Sequence, residues 1–131
     1  IVASIDAVKV NGAYKCAIAD GTEVIEKTPV ELAIKAERLG AGEIIINSVD
    51  RDGMMQGYDI ELVRDVVSSV KVPVVAIGGA GGIKDLKDVL ENGHAHAAAG
   101  GSMFVYYGRL KAVLITAPSE TELTEAGIYK K

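Results

Sequence analysis

Two stretches of this sequence carry residue types that could hold an anion. One is Asn47-Ser48-Val49-Asp50-Arg51-Asp52-Gly53, and the other is Gly78-Gly79-Ala80-Gly81-Gly82. Each follows a short apolar run that reads as a strand and precedes a helical pattern. Polar groups at one strand end and a glycine loop at another suit a phosphorylated ligand at the C-terminal rim of a parallel sheet. Gly79, Ala80, Gly81 and Gly82 offer unhindered backbone N–H groups before a helix beginning near Ile83, and a flexible turn is the plain alternative. The Gly100-Gly101-Ser102 cluster tips the balance, because Gly101 and Ser102 add a second loop and a hydroxyl.

Asp6 ends an apolar run in which Val2, Ser4 and Asp6 share one strand face. If that face is a barrel interior, Asp6 stands at the rim where catalytic groups gather; otherwise it caps the following turn. Asn47 and Ser48 end a second strand. Asp52 reads equally well as a loop organiser, its carboxylate accepting backbone N–H bonds, and as a direct contact. Arg51 is expected to pair with a neighbouring acid. Glu43 opens the second strand on the same face as Ile45 and Asn47, an unusual residue for the floor of a barrel.

Positioning these groups takes strands and helices in alternation. Ile1–Ala7 reads as a strand, and Asn11-Gly12 is a hairpin signal predicting a two-stranded excursion over Val8–Ile18. Thr28-Pro29-Val30-Glu31 is a capping box with proline at the first helical position, opening a helix that stops at Gly40. Strands are expected at Glu43–Val49, Pro73–Ile77 and His96–Gly100. Helices are expected from the Asp59 cap and over Ile83–Asn92. Ser119-Glu120-Thr121-Glu122 could cap a short terminal helix. Such βα units make a parallel sheet with right-handed crossovers. A closed (βα)8 barrel takes about 250 residues, so the fold class is α/β, half a TIM barrel in a single domain over residues 1–131.

The chain has 131 residues, 49% of them hydrophobic, and a net charge of −4. That composition argues against disorder and against non-specific nucleic-acid binding. No apolar run approaches the roughly 20 residues of a membrane helix. Cys16 is the sole cysteine, which excludes an intrachain disulfide and fits a reducing cytoplasm. His94 and His96 stand without acidic or cysteine neighbours, so they read as a helix-end cap and a strand start; no metal or other cofactor is expected.

Ile1-Val2-Ala3-Ser4-Ile5-Asp6, Asn47–Gly53, Gly78–Gly82 and Ala98-Ala99-Gly100-Gly101-Ser102-Met103-Phe104, in that order, resemble the C-terminal half of the cyclase subunit of imidazole glycerol phosphate synthase. The resemblance covers nearly all of residues 1–107. It implies that Asp6 is a general acid/base in ring closure. It also implies that Asn47 and Ser48 make polar substrate contacts and that Gly53 shares the phosphate site through its backbone. Glu43 would belong to a charged ring where ammonia enters from a glutaminase partner. The family's other catalytic aspartate lies on the first strand of the whole barrel, so the chain by itself is expected to be catalytically incomplete. The exposed half barrel is expected to pair with a second copy or with an N-terminal half.

Some residues depart from the pattern. Ile77 stands where the histidine enzyme has a small polar residue, and Val105-Tyr106 where it has a histidine. Lys111–Thr116 replaces its charged final helix. These features, with Met55-Gln56-Gly57-Tyr58-Asp59, look more like a paralogous branch thought to use glutamine-derived ammonia to make acetamidino sugars for surface polysaccharides. A third alternative is a non-enzymatic half barrel that binds phosphate and self-associates.

Overall fold

Local sequence chemistry sets the boundaries of the elements. In the computed structural model, which describes residues 1–107, 112, 113 and 115–129, the Thr28 hydroxyl accepts from Glu31 N while the Glu31 carboxylate accepts from Thr28 N. That reciprocal pair starts α1 (Pro29–Arg38). Asp59 caps α2 (Ile60–Ser69) through Leu62 N, and Gly82 precedes α3 (Ile83–Glu91) with no side-chain cap. Ser119 and Glu122 form a second complete box at the start of α5 (Glu120–Glu125).

The strands are β1 (Val2–Val10), β2 (Ala13–Ile18), β3 (Glu23–Ile25), β4 (Glu43–Ser48), β5 (Val74–Ile77) and β6 (Ala97–Ala98), in the sheet order β3-β2-β1-β4-β5-β6. β1, β4, β5 and β6 run parallel, joined by α1, α2 and α3. The architecture is a partial (βα) barrel. The excursion after β1 has three strands in the sheet rather than two: Asn11 and Gly12, both at positive φ, turn β1 into β2, and β3 then pairs with Cys16–Ile18. A three-residue strand of mixed polarity, Glu23-Val24-Ile25, has too little alternation to stand out in sequence. β6 is shorter than expected, two Ala residues in place of His96–Gly100. After the single turn α4 (Ser102–Val105), β7 (Tyr106–Tyr107) pairs antiparallel with β8 (Ala112–Val113).

Alternation along β4 explains the layering. Ile44 and Ile46 are fully buried under the helices with Val74, Ala76, Leu62, Val66 and Val89, whereas Glu43, Ile45 and Asn47 face the opposite side and remain half-exposed. Val2, at 53% exposure, and Ser4 belong to that bare side too. It corresponds to a barrel interior left uncovered. Among the described residues no helix is long and apolar enough to cross a membrane.

Candidate functional site

Parallel pairing puts Asp6 beside Asn47 on the bare face at the C-terminal ends of β1 and β4. Asn47 Nδ2 donates to Asp6 Oδ1 at 3.1 Å. A carboxylate only accepts, so the amide must turn its nitrogen toward Asp6. That leaves Asn47 Oδ1 buried with no hydrogen bond among the described residues, pressed against Gly78, where a Cβ would lie 2.6 Å from it. An orphaned acceptor of this kind typically costs about 1–3 kcal/mol, so the rim carries a strained polar pair.

Next to this pair is a small cleft of about 50 Å³ lined by Asp52, Gly53, Ile77, Gly78, Gly79, Ala80, Gly101 and Ser102. Its size is far below the roughly 300–1,000 Å³ of a pocket for a whole drug-sized ligand, so it suits one functional group of a larger molecule. Three loops meet there: a Cβ on Gly53 would come 4.0 Å from Ser102 Oγ across the cleft. The residues expected to contact phosphate divide. Gly53, Gly79, Ala80, Gly101 and Ser102 come together, as does Asp52. Gly81 and Gly82 do not: they line a separate hollow with Met55 and Met103, and Gly81 N already donates to Asp85 Oδ2 at 2.8 Å. Ser48 is not brought in by its side chain either. It is 4% exposed on the helix-facing side of β4, the face opposite Asn47, and meets the rim through its carbonyl, which accepts from Arg51 N and Asp52 N.

The β4–α2 loop holds the rim together. Asp50, rather than Asp52, is its organiser: Asp50 Oδ2 accepts from Lys9 N at 2.8 Å, while the exposed Asp52 carboxylate has no hydrogen bond among the described residues. Arg51 donates to Gly57 O at 3.3 Å and pairs with no acid among the described residues. Tyr14 on β2 donates its hydroxyl to the α2 cap Asp59 at 2.7 Å, and Lys9 lies 5.0 Å from the Tyr14 ring centre. Burial, then the hydrogen bond to Asp59 and the nearby acids, pushes the Tyr14 phenol well above its usual range, so it stays a donor. These groups line a larger polar hollow of about 740 Å³ outside the barrel rim.

A family model described as histidine biosynthesis protein matches residues 1–111. The chain belongs to the histidine biosynthesis protein family. It is 44% identical over 124 residues to a protein of Pseudomonas aeruginosa named putative imidazole glycerol phosphate synthase subunit hisF2, a match covering 94% of this chain and 49% of that one. It is 42% identical over 109 residues to a putative subunit HisF of Leptospira interrogans, covering 83% of this chain and 43% of that one. A subunit HisF of Dehalococcoides mccartyi is 44% identical over 109 residues, again 83% of this chain and 43% of the relative. The chain thus spans about half the length of the curated relatives it matches.

For this member of the histidine biosynthesis family, Glu43 stands at the other end of β4 from Asn47, about 13 Å away at strand rise. His96 works within the sheet: its Nδ1 accepts from Val74 N at 3.1 Å. Sequence reasoning gave Tyr58 no role in the site and passed over Asp85. Tyr58 precedes the Asp59 cap at the staple position, and an apolar ring there signals burial. Asp85 is the third residue of a helix whose glycine cap has no side chain, where an acid reaches back to the preceding backbone. That reach lowers the supply of free N–H groups in the glycine loop.

Proposed function

We propose that this chain is part of the synthase portion of a glutamine amidotransferase of the imidazole glycerol phosphate synthase type, which incorporates ammonia and closes a ring on a phosphorylated substrate. The observation that carries this is the anion-sized cleft of Gly53, Gly79, Ala80, Gly101 and Ser102 on the same rim as the Asp6–Asn47 pair. The cleft takes the phosphate. Asp6 acts as general acid/base, held by Asn47. Glu43, at the opposite end of β4, marks the ammonia entrance from a glutaminase subunit. An N-terminal half barrel supplies the second acid. The setting is cytoplasmic.

The test mixes this chain with a matching N-terminal half and supplies substrate and ammonium. Turnover should appear and should fall roughly 10²–10⁴-fold in Asp6→Asn. Turnover unchanged by that substitution would overturn the role of Asp6.

A second reading, the paralog that uses glutamine-derived ammonia to make acetamidino sugars for surface polysaccharides, is favoured by Ile77. Its branched side chain lines the anion cleft, where a smaller group would leave room for a differently placed substrate. Turnover of an amino-acceptor sugar substrate and none of the histidine precursor would select this second reading.

A further inference from the structure

The loop of the cleft with the weakest backbone support is the one after β6. That strand pairs through only two positions, Val75 with Ala97 and Ala76 with Ala98, and Ala99 N adds one bond to Ala76 O. Beyond that point Gly100-Gly101-Ser102 runs without sheet partners into the single turn of α4. Among the described residues one side chain hydrogen-bonds this loop: the Tyr58 hydroxyl donates to Ala99 O at 2.5 Å. Among the described residues no other side chain hydrogen-bonds residues 99–102.

Tyr58 belongs to the loop that supplies Asp52 and Gly53 to the opposite wall of the cleft. One residue earlier, Gly57 N donates to Gly79 O at 2.8 Å, and Gly57 O receives Arg51. The dipeptide Gly57-Tyr58 therefore fastens both glycine loops to the third wall, one by backbone and one by side chain. The Tyr58 ring, 3% exposed, is packed in the core, so a phenylalanine would fill the same volume. The hydroxyl is what burial alone does not need. A buried hydroxyl must find an acceptor, and the one it takes is the last carbonyl before the loop that carries Gly101 and Ser102.

We propose that Tyr58 is a positioning residue that sets the width of the anion cleft, by tying the β4–α2 loop to the end of β6. This rests on the cleft being a phosphate site, as proposed above. Tyr58 touches no ligand. It holds Ser102 within reach of a group that Gly53 and Gly79 also contact, so its loss should change affinity at unchanged chemistry.

The experiment is calorimetric titration of inorganic phosphate into this chain, into Tyr58→Phe, into Gly101→Val, and into Val66→Ala. Val66 is fully buried in α2 and lines no part of the cleft, so its truncation reports lost stability alone. Tyr58→Phe should bind phosphate roughly three- to ten-fold more weakly, the scale of one hydrogen bond. Val66→Ala, although easier to melt, should bind like the parent, and Gly101→Val should not bind. Equal affinity in Tyr58→Phe and the parent, with Gly101→Val inactive, would overturn the positioning role while leaving the phosphate cleft in place. Equal weakening in Tyr58→Phe and Val66→Ala would reduce Tyr58 to a core residue. No phosphate binding by the parent would overturn the cleft itself and this inference with it.

Discussion

Gly79→Ala should be among the most damaging single-methyl changes in this chain. The backbone there sits at φ +112, and a Cβ would lie 2.2 Å from Gly57 O and 2.9 Å from Gly57 C. Both obstacles are backbone, so neither can swing aside. A side chain at positive φ costs roughly 1–2 kcal/mol. Relieving the overlap separates the two loops and breaks the bond from Gly57 N to Gly79 O, worth about 0.5–1.5 kcal/mol more. The sum is about 1.5–3.5 kcal/mol. For a chain of this size about 4 °C of melting temperature accompanies each kcal/mol, so the transition should fall by about 6–14 °C. Gly42→Ala is the control, because the nearest atom to its Cβ is Ile1 O at 3.9 Å. That variant should melt within a few degrees of the parent. Both should be followed by scanning calorimetry at one fixed protein concentration, since association shifts the transition. If Gly79→Ala melts with Gly42→Ala, the close approach of the two loops is not rigid and the reasoning fails.

Thr28→Ala removes the hydroxyl that accepts from Glu31 N and should cost about 1 kcal/mol in urea unfolding; no change in midpoint would discount the box. Glu31 is held below its ordinary carboxylate range mainly by the bond from Thr28 N, so the support it gives is present above that range and is lost as pH falls through the lowered value. Acid titration of stability should therefore be shallower in Glu31→Gln, which can still accept from Thr28 N but does not titrate. Burial, aided by Glu31, pushes the Cys16 thiol up to about 11. Alkylation at pH 8 should accordingly be slow in the native chain and fast in urea, and stability should decline as pH climbs from about 9 toward that value. Rapid native labelling would contradict the burial of Cys16. The bare sheet face should drive association, seen as a dimer by sedimentation at micromolar concentration; a compact monomer that binds no apolar dye would refute it.

Elements with a local chemical signature were legible in the sequence. The boxes at Thr28 and Ser119, the Asp59 cap and the Asn11-Gly12 turn each satisfy backbone groups within a few residues, so their structure follows from neighbours alone. β3 and the true length of β6 were not, because each depends on what the sheet edge offers rather than on its own pattern. The same divide runs through the site. Asp6, Gly53, Gly79, Gly101 and Ser102 announce themselves by residue type at strand ends. That Asp85 consumes the Gly81 N–H, that Ser48 faces the helices, and that Asp50 does the work expected of Asp52 are matters of which face and which partner. The Asp50 bond to Lys9 joins residues 41 apart and depends on sheet register, which a motif does not encode; the reach of Asp85 and the facing of Ser48 are local, set by helix position and strand alternation rather than by residue type.

The stagger of the hairpin against β1 has a consequence for how a partner strand can be received. β2 occupies β1 only from Asp6 to Val10, so on that side Val2–Ile5 keeps its backbone groups unpaired among the described residues. A visiting strand finds a berth four residues long, closed at one end by the hairpin. It cannot slide past Asp6, and a one-residue retreat would turn its side chains to the wrong face. The excursion thus acts as an end-stop that indexes assembly: a strand that fills the berth ends level with Asp6.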